Sequence, residues 1–264
     1  MTIKLVSYNV LADSYIRPDW YPHTPKEWLT PERRHPALVE EIVRMNADIV
    51  GLQEVERPVF SILEQELGPL GYESRYEPKG RNKPDGCAMF VRSSVCAVES
   101  WQRLDYADST GDSPASGHLA QLATLNWDGR TLAVANTHLK WAPPDTARGE
   151  HLGARQLDEL ADHCSAARHD GWVVCGDYNC TPSSAVLKKL HDAGFVDAHN
   201  GSDAPTCNAN RETRKLDHIF IAGALVALPT PIDAIQADTP LPSAGHPSDH
   251  LPVGVHLSWV ADRS

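Results

Sequence analysis

Apolar runs of strand length recur along this chain, and six of them end or begin on an amide, an acid or an imidazole. The run at 3–10 carries Asn9, and the run at 47–55 closes with Gln53-Glu54. The run at 131–139 closes with Asn136-Thr137-His138, with Lys140 just beyond, and the run at 172–178 with Asp177-Tyr178-Asn179. Asp217-His218 opens the run at 216–222, and Ser248-Asp249-His250 leads into 251–259. Short apolar runs of this kind are buried strands. An ionised carboxylate beside a buried strand is costly unless it is paired or bound to a cation. One acid at a strand end is simply a turn or cap residue. Six polar strand ends that converge would line one oxygen-rich pocket ringed by imidazoles.

Helical spacing appears only between the strands. Leu38, Ile42 and Met45 give one apolar face to a helix that begins between Pro31 and Pro36. Pro58 opens a second helix ending near Gly68. Residues 148–168 form a third, with Leu157, Leu160, Ala161 and Cys164 on one face, and a short one follows Thr181-Pro182. Strands are expected at 72–77, 86–92, 95–104 and 118–127, and Asp128-Gly129 turns the last of these into a hairpin. Residues 12–35, rich in Pro, Trp and Tyr, read as an ordered loop. Many strands with few, dispersed helices predict an α/β chain of two packed sheets with helices outside. The 264 residues show no linker or low-complexity run, so one domain over 1–264 is expected.

Charge narrows the chemistry. Lys+Arg is 24 against 35 Asp+Glu, a net charge of −11, which disfavours a basic clamp around long nucleic acid. A metal ion between acids and phosphates removes that objection. Oxygen donors with imidazoles suit Mg²⁺, with Mn²⁺ as substitute, and acid–base work. A turn at Gly176 would present Asp177 and Asn179 on one side, where an acid and an amide can orient a water and a phosphoryl oxygen. No run of about 18 apolar residues is present, so no membrane partner is expected. The N-terminus lacks a signal-peptide layout, and the six cysteines form no C-x-x-C pair. Reduced thiols, a cytoplasmic setting and a monomer are expected. His35, His151, His163, His169, His191 and His256 lie in helical or flanking positions and are assigned no role.

Taken in order, the motifs resemble the endonuclease/exonuclease/phosphatase superfamily, with its DNase I-like fold, from Ser7 to Trp259. Ser7-Tyr8-Asn9-Val10-Leu11-Ala12-Asp13, Asp48-Ile49-Val50-Gly51-Leu52-Gln53-Glu54, Asp85-Gly86-Cys87-Ala88 and Asn136-Thr137-His138-Leu139-Lys140-Trp141 resemble its deadenylase, nocturnin, Angel and 2′-phosphodiesterase branch. Glu56-Arg57-Pro58-Val59-Phe60 and Gly245-His246-Pro247-Ser248-Asp249-His250 look nearest the 2′-phosphodiesterase. The resemblance implies a four-layer α/β/β/α sandwich of two mixed sheets and Mg²⁺-dependent hydrolysis of a phosphoester. It implies that Glu54 binds metal with Asn9 and Asp249. Asp177 would orient or deprotonate the attacking water, Asn179 and His138 would contact the phosphoryl oxygen, and His250 would stabilise developing charge, buttressed by Asp217. Lys140 would face substrate phosphate.

Departures limit the choice of substrate. Leu11 stands where apurinic endonucleases have an acid, and Ala142 where nocturnin-like enzymes have a basic residue. The short segment 206–216 carries Arg211, Arg214 and Lys215, three cations suited to substrate phosphates. Trp20, Tyr21, Trp28 and Trp141 are candidates for base stacking. The expected substrate is an RNA end, a short oligoribonucleotide or a nucleotide, cleaved by a phosphodiesterase. A phosphatase or 2′,3′-cyclic-phosphate hydrolase, a lipid- or inositol-phosphate enzyme, and a binding module without activity are the competing classes. Substrate choice is expected from loops at 12–35, 78–85, 105–117, 141–150 and 203–215.

Overall fold

Burying both faces of so many apolar runs requires two sheets covered on both sides, and the computed structural model has that architecture. It describes residues 1–109, 114–143 and 145–261. The first sheet contains β1 (Thr2–Asn9), β2 (Ile49–Glu56), β3 (Tyr72–Pro78) and β4 (Asp85–Arg92), with two later strands. The second contains β5 (Ala97–Asp105), β6 (Leu119–Trp127), β7 (Arg130–His138), β8 (Gly171–Asp177) and β9 (Val196–Asp197). A small hairpin, β10 (Cys207–Ala209) and β11 (Glu212–Arg214), precedes β12 (Asp217–Gly223), β13 (Leu225–Pro229) and β14 (Val253–Trp259). The sheet orders are β13-β14-β1-β2-β4-β3 and β5-β6-β7-β8-β12-β9.

Each sheet is antiparallel except at its centre. There β1 pairs with β2 and β7 with β8 in parallel. A parallel pair needs a crossover, and helices supply it. Helix α1 (Pro31–Met45) joins β1 to β2, and α3 (Leu152–Ala166) joins β7 to β8. Helices α2 (Arg57–Leu67) and α4 (Lys188–Asp192) complete the outer layers. Leu38, Ile42 and Leu63 pack on one sheet, and Leu157, Leu160 and Leu190 on the other. Ile3, Leu5, Val134 and Val173 belong to the core between the sheets. Polar groups cross that core at one level. Gln53 donates to Asn136 Oδ1 at 2.7 Å, and Asn136 donates to the carbonyls of Leu52 and Ala88, both at 3.0 Å. Gly51 makes room, because a Cβ there would lie 3.2 Å from the Asn136 side chain.

The expected elements are present with three differences. Helix α3 starts at Leu152, later than 148, because a turn precedes it and His151 Nδ1 accepts from Ala154 N–H at 3.3 Å as its cap. The 12–35 loop is ordered through three short 3₁₀ turns at 13–15, 18–20 and 26–29. The short strand β9, the edge strand β13 and the hairpin β10–β11 were not marked by any alternation in the sequence. Of the loops named for substrate choice, residues 110–113 and 144 lie outside the described residues.

Candidate active site

The strands of each parallel pair point the same way, so their carboxyl ends meet at one rim. Asn9, Glu54, His138 and Asp177 sit there. The backbone at this rim departs from regular strand. A bulge between Leu52 and Val55 puts Glu54 at φ 57°. Gly176 has φ 148°, and a Cβ there would come within 1.8 Å of the Thr137 carbonyl oxygen. Only glycine lets β8 approach β7 so closely before Asp177 turns inward.

One amide ties the sheets together. Asn9 Nδ2 donates to Glu54 Oε1 at 3.0 Å and to Asp177 Oδ2 at 2.9 Å, while Asn9 Oδ1 accepts from Leu11 N–H at 3.0 Å. Glu54 Oε2 accepts from Ala12 N–H at 3.0 Å. Burial, then the Asp249 charge, push the Glu54 carboxyl up to about 7, against Lys79 and its two hydrogen bonds. Burial likewise lifts Asp177 to about 6, with His250 opposing and Asp217 adding to the rise. Glu54 with His138 and Asp177 forms one group able to hold a metal ion, and Asp249, His250 and Cys207 form another. The donor set is rich in carboxylate oxygen, which fits a divalent cation.

The two imidazoles are held in opposite states. His250 Nδ1 lies 2.8 Å from Asp217 Oδ2, which also accepts from Thr206 Oγ1 at 2.6 Å. Burial alone would keep His250 neutral, but Asp217, Cys207 and Asp177 outweigh it and hold its pKa well above the usual value. Its Nε2 lies 3.7 Å from Asp177 Oδ2. His138 is neutral, its pKa driven well down by burial and then by Lys79. Lys79 Nζ lies 3.1 Å from His138 Nδ1 and donates to Asp85 Oδ2 at 2.5 Å. Asn179 Nδ2 lies 3.0 Å from His138 Nε2. A neutral ring accepts from one donor only, and the charged Lys79 makes the stronger bond.

The eight residues Asn9, Glu54, His138, Asp177, Asn179, Asp217, Asp249 and His250 thus come together, and all but Asn9 and Asp217 line the same cleft of about 700 Å³. Tyr21 donates to Asp249 Oδ2 at 2.9 Å, and Ser248 donates to the Asn9 carbonyl at 2.7 Å. Lys140 and Arg214 line the cleft, as do the half-exposed Trp20 and Trp141. Lys215 does not. Its buried ammonium donates to the Ser202 carbonyl at 2.7 Å and faces Asp197 at 3.4 Å, so it ties loop 197–202 down and is closed to substrate. Arg211 borders a separate crevice beside Trp20 and His23. Tyr21 is buried, and Trp28 is not among the residues lining the cleft.

Four residues at the site were not assigned a role from sequence. Lys79 and Asp85 are a buried ion pair under His138, with Tyr15 donating to Asp85 Oδ1 at 2.7 Å. His118 lines the cleft, its pKa pushed down to about 2 by burial and by Lys79, Lys83 and Lys140. The fully buried Arg34 donates to the carbonyls of Val10, Leu11 and Pro247, binding the first rim loop to the last. Asp85 alone carried a sequence signal, through the Asp85-Gly86 motif.

The sandwich carries at its rim carboxylates, amides and imidazoles able to hold a cation. The chain belongs to the Endonuclease/Exonuclease/phosphatase family, which matches residues 6–250. It is 25% identical over 322 residues to 2′,5′-phosphodiesterase 12 of Mus musculus, covering 97% of this chain and 52% of that protein. The chain therefore spans about half the length of that curated relative. The human nocturnin catalytic domain with bound sulfate superposes with a TM-score of 0.74 at 26% identity, covering 98% of this chain and 93% of that one. ANGEL2, a 2′,3′-cyclic phosphatase, in complex with adenosine-2′,3′-vanadate shares the fold with a TM-score of 0.85 at 20% identity, covering 99% of this chain and 96% of that one. No helix among the described residues is long and apolar enough to cross a membrane.

Proposed function

We propose that the chain is a metal-dependent phosphodiesterase that hydrolyses phosphoester bonds at RNA ends or in short oligoribonucleotides by in-line attack of water. The observation that carries this reading is the Asn9 amide bridging Glu54 and Asp177 from opposite sheets, with His250 and His138 close by. Glu54 and Asp249 would hold Mg²⁺, with Mn²⁺ as substitute and Asn9 positioning Glu54, and the cation would neutralise charge on the phosphoryl oxygens.

The chain's own residues do the rest. Asp177 orients the water and takes its proton, since its raised carboxyl favours proton uptake. His138 and the Asn179 amide contact a phosphoryl oxygen. Protonated His250, fixed by Asp217, stabilises the charge that builds up on that oxygen. Lys140, with Lys83 and Arg214 beside it on the cleft wall, receives further phosphates. The name of the 2′,5′-phosphodiesterase relative supports a phosphodiester as the bond cleaved. We also propose a one-domain monomer in a reducing, cytoplasmic setting, which the six free cysteines support.

End-labelled RNAs with 3′-hydroxyl, 3′-phosphate, 2′-phosphate or 2′,3′-cyclic ends, together with 2′-5′ oligoadenylate, test this in Mg²⁺ and in chelator. Mg²⁺-dependent release of mononucleotides is expected. Release of inorganic phosphate alone, or opening of the cyclic end alone, would replace the diesterase reading by a phosphatase or cyclic-phosphate hydrolase.

A further inference from the structure

Of the six free cysteines, Cys207 is the one that lines the cleft, and the hydrolysis proposed above gives its thiol no task. The backbone sets its position. Cys207 and His250 form an isolated antiparallel bridge, with Asn208 N–H donating to the Asp249 carbonyl at 2.8 Å and Leu251 N–H to the Thr206 carbonyl at 2.7 Å. Those bonds flank the pair and do not join it. Two residues paired in this way have Cα atoms about 4.5 Å apart and side chains on one face of the ladder. The thiol therefore stands beside the imidazole that Asp217 anchors. The Asp249 carboxylate completes the group: one ligand atom from each of Cys207, Asp249 and His250 lies within 4.8 Å of the other two, and all three residues are buried. A second observation points to a cation. Asp217 Oδ2 meets His250 Nδ1, but its other oxygen, Oδ1, is buried without a hydrogen-bond partner. An orphaned carboxylate oxygen beside the same ring is a position that an ion can satisfy.

The donor types choose the ion. Glu54, Asp177 and Glu212, which line the same cleft, attract any cation, so the thiol is what discriminates. Mg²⁺ takes oxygen donors in an octahedral shell. Zn²⁺ takes thiolate, imidazole and carboxylate together, and three protein donors leave its fourth position to water. Zinc–ligand bonds of about 2.0–2.3 Å place tetrahedral donors roughly 3.3–3.8 Å apart, so side-chain shifts of about 1 Å would close this group on one ion. A coordinated thiol sheds its proton outright.

We propose that Cys207, Asp249 and His250 form a site for a thiophilic divalent cation of the zinc class, and that its occupation switches hydrolysis off. The ion takes Asp249 away from Mg²⁺. It also holds the His250 ring through a nitrogen, so the ring no longer stabilises charge on the phosphoryl oxygen. The inhibition rests on the function proposed above; the binding does not.

Titration of metal-free, reduced protein with Co²⁺ reads binding without turnover, through the thiolate-to-cobalt absorption band. Wild type should show the band at one equivalent, Zn²⁺ should abolish it, and excess Mg²⁺ should leave it. Cys207→Ser and Cys207→Ala should lack it. Hydrolysis is then followed at fixed Mg²⁺ with rising Zn²⁺, each protein being read against its own zinc-free rate. The half-inhibiting concentration should rise at least about 10-fold in both variants, since even an outer partner of a metal ligand is worth 10- to 100-fold in affinity. No band in wild type, a band that survives in the variants or yields to Mg²⁺, or equal inhibition of all three proteins overturns the site. If the band behaves as expected and no phosphoester is cleaved, the metal site stands and the phosphodiesterase reading fails.

Discussion

Glu54 is the residue where stability and activity should oppose each other. Burial, then Asp249, raise its carboxyl from 4.5 to about 7. Between those values the folded protein keeps a proton that the unfolded chain releases. The stabilisation is complete below the unfolded value and is lost as pH rises through the folded one. The interval corresponds to about 3 kcal/mol at roughly 1.4 kcal/mol per pH unit. Asp177, raised from 3.8 to about 6, acts in the same direction. Metal-free protein should therefore lose stability from about pH 4 to about pH 7. Glu54→Gln removes the charge, but glutamine has one oxygen where Glu54 uses two, for Asn9 Nδ2 and Ala12 N–H. One lost hydrogen bond costs about 1 kcal/mol. The variant should be more stable than wild type by about 2 kcal/mol near pH 8 in chelator, and equal or slightly less stable near pH 5. Mg²⁺ should stabilise wild type increasingly as pH rises and leave the variant unmoved. Hydrolysis should fall by about 10²-fold or more. Urea unfolding in chelator and in Mg²⁺ at both pH values, with initial rates, measures all of this. A variant less stable than wild type at the higher pH in chelator, or one stabilised equally by Mg²⁺, would refute the reasoning.

Further substitutions separate charge from shape. Asp217→Asn preserves an oxygen for His250 and Thr206 but removes the charge that pairs with the buried His250, so kcat should fall about 10²-fold and urea unfolding should show a loss of about 3–5 kcal/mol. Asp217→Ala should lose about 1–2 kcal/mol more, because the hydrogen bonds to His250 and Thr206 go as well. Lys79→Met strands Asp85, which is fully buried, and should cost about 3–5 kcal/mol; adding Asp85→Asn should recover part of it. Equal stability of the single and double variants would show that the pair is unimportant. Gly176→Ala drives a methyl into the Thr137 carbonyl, and near-UV circular dichroism should show loss of fixed packing. A well-folded, active Gly176→Ala protein would rule out the close β7–β8 approach.

Strands were legible because both faces of each central strand are buried, which makes their apolar runs continuous. The convergence of their polar ends followed from the same fact: residues such as Asn9 and Asp177 have no other tolerable place at the edge of a dry core. Helix α1 was legible from Leu38 and Ile42. Its polar face was not, because Arg34 and Glu41 are buried by contacts with distant partners, the Pro247 carbonyl and the Tyr8 hydroxyl. Lys79 and Lys215 show the same limit in opposite senses. Both lie in polar loop sequence, and nothing local says which ammonium meets the site. Lys79 is drawn under His138 by Asp85, 6 residues on in a strand, whereas Lys215 is turned away by carbonyls at 199 and 202. Strand β13 escaped notice because it is an edge strand, and its Val226 and Leu228 are exposed.

The backbone at this rim also departs from regular strand. Leu11, Glu54 and Asn179 adopt φ of 55°, 57° and 51°, and Gly176 adopts 148°. Left-handed geometry costs a non-glycine residue about 1–2 kcal/mol, and a branched Leu is an unfavourable choice for it. Three such residues follow or interrupt the strands that carry Asn9, Glu54 and Asp177. Each deviation has a local consequence that regular strand would forbid. At Leu11 the chain turns back so that its N–H meets Asn9 Oδ1; at Glu54 the bulge re-aims a carboxylate toward Asn9; at Asn179 the turn directs the amide to His138. A fold seeking stability alone would continue these strands or cap them with glycine. Strain retained at the strand ends, beside carboxylates raised by burial, is the pattern of a site held ready for a cation and an anionic substrate.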